Sequence, residues 1–166
     1  MIQIRYNSFE TNSSSVHVLV IPKDTNIHIP KSVHLTGGEW GWNGGNEYDT
    51  LNYFYEACVH RGPEEVQLFL DYLKRKGVEE IHCKEIEWAE SKWYDGTTYQ
   101  YAKDWDGYID HGDKLPLNDL FANEDLLDRF LFGDDSFIEI GNDNSDECPD
   151  EMAYDLNKYD TVKKGN

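Results

Sequence analysis

Two neighbouring stretches of the chain carry apolar residues at helical spacing. The first stretch is residues 51–59, and residues 66–73 repeat its spacing after a short break. At the break, Gly62 is typical of a helix C-terminus and Pro63 of a helix N-terminus, and Gly77 closes the second stretch. The pattern therefore predicts two helices joined in an αα-hairpin. The apolar positions of the first helix, at i, i+3, i+4, i+7 and i+8, are Leu51, Phe54, Tyr55, Cys58 and Val59.

Shorter stretches are apolar or alternate between apolar and polar residues, as strands do. Residues 117–132 instead predict one or two short helices, with Asn118 or Asn123 as an N-terminal cap. A turn at 95–96 would pair the strands before and after it. Together these segments predict an α+β fold, a mostly antiparallel sheet with the αα-hairpin packed on one face. The predicted strands are 2–6, 16–21, 27–29, 33–35, 80–83, 85–88, 97–101 and 136–140.

Composition indicates one folded domain. The 166 residues are 39% hydrophobic and 14% aromatic, too apolar for an acidic disordered chain. We predict a single domain over 1–151 and a C-terminal tail over 152–166. No apolar run approaches the length of a membrane span, and the N-terminus lacks the features of a signal peptide. Three cysteines without C-x-x-C spacing favour neither disulfides nor zinc, so we expect the chain in a reducing cytoplasm.

The net charge of −18 is concentrated in one segment. Residues 104–151 contain 16 acidic side chains against Lys114 and Arg129, a net charge of −14. Such a segment repels nucleic-acid phosphate and attracts basic clefts. Free DNA is therefore excluded as a direct partner, and a basic protein that itself binds nucleic acid is expected instead.

Between the first two predicted strands lies a loop rich in small hydroxyl side chains. Residues 8–15 supply Ser, Thr and Asn side chains that can present several hydrogen-bond donors to an anion such as phosphate. Glu10 and His17 flank the hydroxyl run and are side-chain types used for proton transfer. In an ideal strand His17 shares a face with Leu19 and Ile21. The alternative is a polar loop whose hydroxyls satisfy its own backbone.

This N-terminus resembles the opening of a family of small proteins carried by phages and mobile elements of Gram-positive bacteria. The resemblance rests on Ile4-Arg5 followed by Phe9-Glu10-Thr11-Asn12-Ser13-Ser14-Ser15-x-His17, about fourteen of the 166 residues. The family pattern has hydroxyl residues at positions 16 and 18, where this chain has valine. Some proteins of this kind act as anti-CRISPRs. The resemblance therefore implies a counter-defence protein of the bacterial host cytoplasm that inhibits a Cas9-type CRISPR effector with its guide RNA.

Two mechanisms of inhibition remain open. In the first, the protein is a ribonuclease that cuts the effector-bound guide RNA, with Glu10 and His17 as acid and base. The residues expected to hold the scissile phosphate are Arg5, Asn12, Ser13, Ser14 and Ser15. In the second, the protein is not an enzyme, and its acidic segment mimics nucleic acid and blocks a basic channel of the effector.

The densest part of the acidic segment is residues 104–113. Its carboxylates could bind a hard cation such as Mg²⁺ or Mn²⁺, but the spacing matches no EF-hand loop, and a solvated acidic loop is favoured. Tryptophans interleaved with acids are also typical of protein interfaces. The residues predicted to bind the partner are Asp104, Asp106, Asp110, Asp113, Trp93 and Trp105.

Overall fold

The computed structural model describes residues 15–41, 45–110, 114–142 and 148–164. In this part of the chain, a four-stranded antiparallel sheet and four helices share one hydrophobic core. Three two-stranded sheets complete the fold, one antiparallel and two parallel. The α+β class and the mostly antiparallel sheet are confirmed. The strands are β1 (Ser15–Pro22), β2 (Ser32–Leu35), β3 (Glu39–Trp40), β4 (Gly45–Glu47), β5 (Glu80–Cys83), β6 (Trp88–Lys92), β7 (Thr98–Ala102), β8 (Tyr108–Ile109), β9 (Phe137–Asn142) and β10 (Tyr159–Lys164). The helices are α1 (Thr50–Arg61), α2 (Pro63–Lys76), α3 (Leu117–Ala122) and α4 (Glu124–Phe132).

Strand β1 is the centre of the four-stranded sheet, whose order is β10-β1-β9-β4. All eight of its residues are buried, as its content of β-branched side chains favours. Both of its edges are occupied, because β9 pairs with residues 15–20 and β10 with residues 17–22. Along 17–20, β1 therefore has no free edge for a hairpin with the predicted strand 2–6, which lies outside the described residues.

The two faces of β1 contact different sets of side chains. Leu19 and Ile21 pack into the main core with the helices. Val16, Val18 and Val20 form a second, smaller cluster on the opposite face. That cluster is covered by Phe137, Cys148, Tyr154 and Tyr159. The alternation predicted for this strand is therefore confirmed, and it points His17 towards the helices.

Both helices of the predicted αα-hairpin are present and pack against each other. Pro63 is the first residue of α2, where its missing N–H removes no helical hydrogen bond. Gly77 ends α2 in the left-handed conformation, with φ of 102°, and its N–H bonds to the last carbonyls of the helix. Local rules thus set these boundaries.

The segment 117–132 forms two short helices, as predicted. Asn123 ends α3 and caps α4, because its side chain accepts a hydrogen bond from the N–H of Leu126. Asn118, the other predicted cap, lies inside α3, whose N-terminal cap is Pro116.

Several segments differ from the prediction. The predicted strand 27–29 was wrong, because only Ile27 pairs there, in an isolated bridge with Gly133. The short strands β3, β4 and β8 were not predicted. The predicted strand 85–88 was wrong, since β6 begins at Trp88 and pairs with β7 around a turn at 93–97. The N–H of Trp93 donates to the carbonyl of Thr97, which sets this register. The C-terminal segment, expected as a tail, contributes β10, an edge strand of the sheet.

Candidate functional site

His17, the predicted catalytic imidazole, lies inside the fold. It occupies the middle of the sheet on β1 and has no exposed surface. Its Nε2 lies 2.7 Å from the hydroxyl oxygen of Ser15, and its Nδ1 lies 2.9 Å from the hydroxyl oxygen of Tyr53 on α1. Both ring nitrogens therefore have hydroxyl partners. This arrangement holds the ring in a fixed orientation between the sheet and α1.

The surroundings of His17 keep its ring neutral. Burial, assisted by the positive charge of Lys164 and opposed by the negative charge of Asp110, lowers the pKa of His17 to about 3. Burial also raises the pKa of Tyr53, so the phenol stays protonated. At neutral pH the hydroxyl groups and the imidazole therefore form an uncharged chain of hydrogen bonds.

Asp110 and Lys164 complete this buried polar cluster, which consists of Ser15, His17, Tyr53, Asp110 and Lys164. The carboxylate of Asp110 accepts hydrogen bonds from the Ser15 N–H, at 2.6 Å, and from the hydroxyl of Tyr108, at 2.8 Å. The ammonium of Lys164 donates to the carbonyls of Ser15 and Asp110, at 2.8 and 2.7 Å. The cluster thus joins β1, α1, β10 and the residue after β8.

The predicted catalytic and phosphate-binding residues are only in part brought together. Ser15 and His17 contact each other, in the geometry of a nucleophile and its base, but both are buried. The pair links β1 to α1, because His17 also contacts the hydroxyl group of Tyr53. The remaining predicted members, Glu10, Arg5, Asn12, Ser13 and Ser14, lie outside the described residues.

The predicted partner-binding residues divide into exposed and buried ones. Asp104 and Asp106 are exposed on the loop between β7 and β8. Asp110 is instead 7% exposed, because it belongs to the buried polar cluster. Trp105 is half-buried, packs against the main core and lies between the two exposed aspartates. Asp113 lies outside the described residues.

Trp93 begins an aromatic ladder on one face of the β6–β7 hairpin. It is 54% exposed, and its ring centroid lies 4.6 Å from that of Tyr99. The ring of Tyr99 lies 6.2 Å from that of Tyr101, which is 43% exposed. Tyr99 and Tyr101 share a face because strand side chains alternate. Aromatic residues that remain accessible in this way are typical anchors of protein interfaces.

A buried carboxyl group on α1, Glu56, was missed at the level of sequence. The indole N–H of Trp105 donates to both of its oxygens, at 2.9 and 3.0 Å, and the N–H of Gly38 donates to one, at 3.3 Å. Burial raises the pKa of Glu56 to about 7, although both kinds of hydrogen bond act in the opposite direction. The available signal was that Glu56 is the single acidic residue in the twelve of α1.

Two glycines make room for this carboxyl group. A Cβ atom on Gly107 would lie 1.9 Å from a Glu56 oxygen, and one on Gly37 would lie 2.2 Å from it. Gly37 also has φ of 68°, a conformation that favours glycine. The loops before β3 and before β8 can therefore close over Glu56 only because they lack side chains at these positions.

Among the described residues, no group of three or more histidine, cysteine or acidic side chains is placed to hold a metal ion. Within the same ranges, no helix is long and apolar enough to cross a membrane. Comparison with protein-family models, curated proteins and solved structures gives no match for this chain.

Proposed function

We propose that this protein is a counter-defence protein that binds a basic CRISPR effector of the Cas9 type and blocks its nucleic-acid channel. The N-terminal signature supports the counter-defence role through the resemblance described above. The net charge of −18 supports a basic partner, because complementary charge accelerates association and selects against nucleic acid.

The observation that carries the proposal is an exposed acidic and aromatic surface formed by β6, β7 and the loop to β8. Asp104 and Asp106 are exposed there, and neither of them forms an ion pair within the described part of the chain. The aromatic ladder, Trp93, Tyr99 and Tyr101, lies on the same hairpin. Uncompensated carboxylates beside accessible aromatic rings form a surface suited to a basic protein.

Two acidic side chains of α4 are neutralised within the fold. On α4, Glu124 pairs with Arg75 and Lys76 of α2, at 2.5 and 3.0 Å. Asp128 pairs with Lys76 at 2.7 Å. These helical acids therefore have intramolecular partners, and we assign partner binding to the loop and hairpin instead.

A second candidate, cleavage of the effector-bound guide RNA, rests on the 2.7 Å contact between Ser15 and His17. In that mechanism Glu10 and His17 act as acid and base on a scissile phosphate. The neutral, fully buried state of His17 favours the blocking mechanism over this one, because a general acid or base needs access to the reacting group.

The proposal is tested by a double variant, Asp104→Asn with Asp106→Asn, in a binding assay with guide-loaded effector. Each substitution keeps the size of the side chain and removes one exposed charge. We expect the binding free energy to weaken by up to about 1 kcal/mol per charge, mainly through slower association. This difference from the wild type should shrink as added salt reduces the Debye length below about 8 Å. Asp110 is left unchanged, since it belongs to the buried polar cluster.

The matched control is Asp134→Asn with Asp135→Asn, which removes two exposed charges from the loop between α4 and β9. We expect the control to bind with an association rate much closer to that of the wild type. Equal effects of the two double variants would show that net charge alone, rather than this surface, drives binding. Unchanged affinity in the first variant would refute the assignment.

A further inference from the structure

A cleft of about 230 Å³ opens between α1, the end of β7 and the loop to β8. Three of its walls are ring systems, those of His60, Tyr101 and Trp105. Tyr101 is also the last member of the aromatic ladder, so the cleft continues the exposed aromatic surface. The lining residues are Val59, His60, Tyr101, Ala102, Trp105 and Gly107.

The buried carboxyl group of Glu56 lies directly behind this cleft. Trp105 donates its indole N–H to Glu56, and Gly107 approaches it so closely that a Cβ there would lie 1.9 Å from an oxygen. The Nε2 atom of His60 lies 3.6 Å from the other oxygen. Three of the six lining residues thus contact one carboxyl group, which has no exposed surface of its own.

The His60 wall carries no positive charge at Nε2. This nitrogen accepts a hydrogen bond from the N–H of Ile109, at 3.1 Å, and an accepting nitrogen has no proton. The cleft therefore combines aromatic faces with a carboxyl group behind them, and Asp104 and Asp106 are exposed on either side of Trp105. The aromatic faces and the two exposed aspartates favour a cation, and the Glu56 carboxyl group does so in its ionised form.

The Trp105 ring already receives one cation from within the chain. The ammonium of Lys84 lies 5.9 Å from a ring centroid of Trp105, within the distance of a cation–π interaction. The Lys84 ammonium also donates to the carbonyl of Asp104, at 3.5 Å, so the ring and this carbonyl lie beside the same cation. An arginine would gain more than a lysine, because a planar guanidinium stacks on aromatic faces and is more weakly hydrated.

We propose that this cleft binds an arginine side chain, with the guanidinium stacked between Tyr101 and Trp105 and attracted by the carboxyl group of Glu56. That the arginine belongs to a basic effector rests on the proposed function. The cleft itself is a property of this chain and can be tested alone. Arginine is also the side chain with which nucleic-acid-binding proteins hold phosphate, so its capture here would remove it from that role.

The test uses a short peptide of glycine, serine and one arginine as the probe. The indole N–H resonance of Trp105, assigned with Trp105→Phe, is followed in the ¹⁵N-labelled full chain during titration. We expect a saturable shift, about tenfold weaker binding of the matched lysine peptide, and no shift with a citrulline peptide, which lacks the charge. Equal binding of the citrulline peptide, or no shift with arginine, would overturn the proposal.

Tyr101→Ser tests the wall of the cleft with an exposed residue whose loss leaves the core intact. We expect it to weaken arginine binding about tenfold. The control is Tyr94→Ser, at a fully exposed ring in the hairpin turn outside the cleft, which should bind like the wild type. Equal binding by Tyr101→Ser and the control would also overturn the proposal.

The arginine cleft and the proposed function can be refuted independently of each other. If the effector is bound through Asp104 and Asp106 but the arginine peptide is not, the cleft assignment is wrong and the proposed function stands. If the peptide binds but no effector does, the cleft assignment stands and the proposed function is wrong.

Discussion

Glu56→Gln removes a buried carboxyl group whose pKa is raised into the neutral range. The glutamine keeps the shape of the side chain and one acceptor oxygen for the indole of Trp105. The second acceptor oxygen is replaced by an amide NH₂ group. The loss of this acceptor costs about 1 kcal/mol, because a buried N–H loses its partner. The variant can no longer ionise, so its stability should lack one pH-dependent contribution of the wild type.

The size and sign of that contribution follow from the two pKa values. The pKa is about 7 in the folded chain and 4.5 as the ordinary value, which we take for the unfolded chain. Between these values the folded state holds a proton that the unfolded state has released, so wild-type stability falls as the pH rises. The difference corresponds to about 3 kcal/mol, lost between about pH 4 and pH 8.

The assay is urea unfolding of the wild type and Glu56→Gln at several pH values across that range. The free-energy difference between the two proteins isolates the Glu56 contribution, because all other titrating groups are shared. We expect the free energy of unfolding of the variant, relative to that of the wild type, to rise by about 3 kcal/mol between about pH 4 and pH 8. At about pH 8 the variant should be the more stable protein.

The control is Glu64→Gln, which changes an exposed carboxylate at the start of α2. It shows how much pH dependence a glutamate-to-glutamine substitution produces at an exposed position. If the free energies of unfolding of Glu56→Gln and the wild type changed with pH in parallel, the Glu56 carboxyl group would titrate alike in the folded and unfolded chains. That result would contradict the raised pKa of Glu56 in the folded chain.

Three further substitutions test the packing around the two sites by urea unfolding. Lys164→Met removes the ammonium that binds two buried carbonyls and should cost about 3 kcal/mol; a loss below about 1 kcal/mol would contradict that role. Gly107→Ala places a methyl group against the Glu56 carboxyl group and should cost about 2 kcal/mol, whereas a neutral effect would show that the loop can move aside. Asn123→Ala removes the cap of α4 and should cost about 1 kcal/mol, and an unchanged midpoint would argue against the cap.

Elements defined by local signals were predictable from the sequence. The αα-hairpin follows from the helical spacing of apolar residues and from Gly62, Pro63 and Gly77, all of which act within a few residues. Strand β10 was missed because its residues, Tyr159–Lys164, lack regular alternation and end in two lysines. Its pairing depends on β1, more than 130 residues earlier in the chain.

In the two sites as well, contacts between residues close in sequence were predictable and contacts between distant segments were not. The contact between Ser15 and His17 follows from their spacing at the start of a strand, and sequence reasoning singled out both. Asp110 was expected on the surface, because no local signal reveals that Lys164 and the Ser15 N–H come to meet it. The role of Glu56 depends in the same way on partners that the fold delivers from distant loops.

We propose that this protein blocks an effector without cutting its guide RNA. The direct measurement incubates guide-loaded Cas9-type effector with the protein, measures the fraction of target DNA bound, and resolves the end-labelled guide from the same samples on a denaturing gel. We expect target binding to fall with increasing protein while the guide keeps its full length. A shortened guide, or target binding that does not fall, would contradict the proposal.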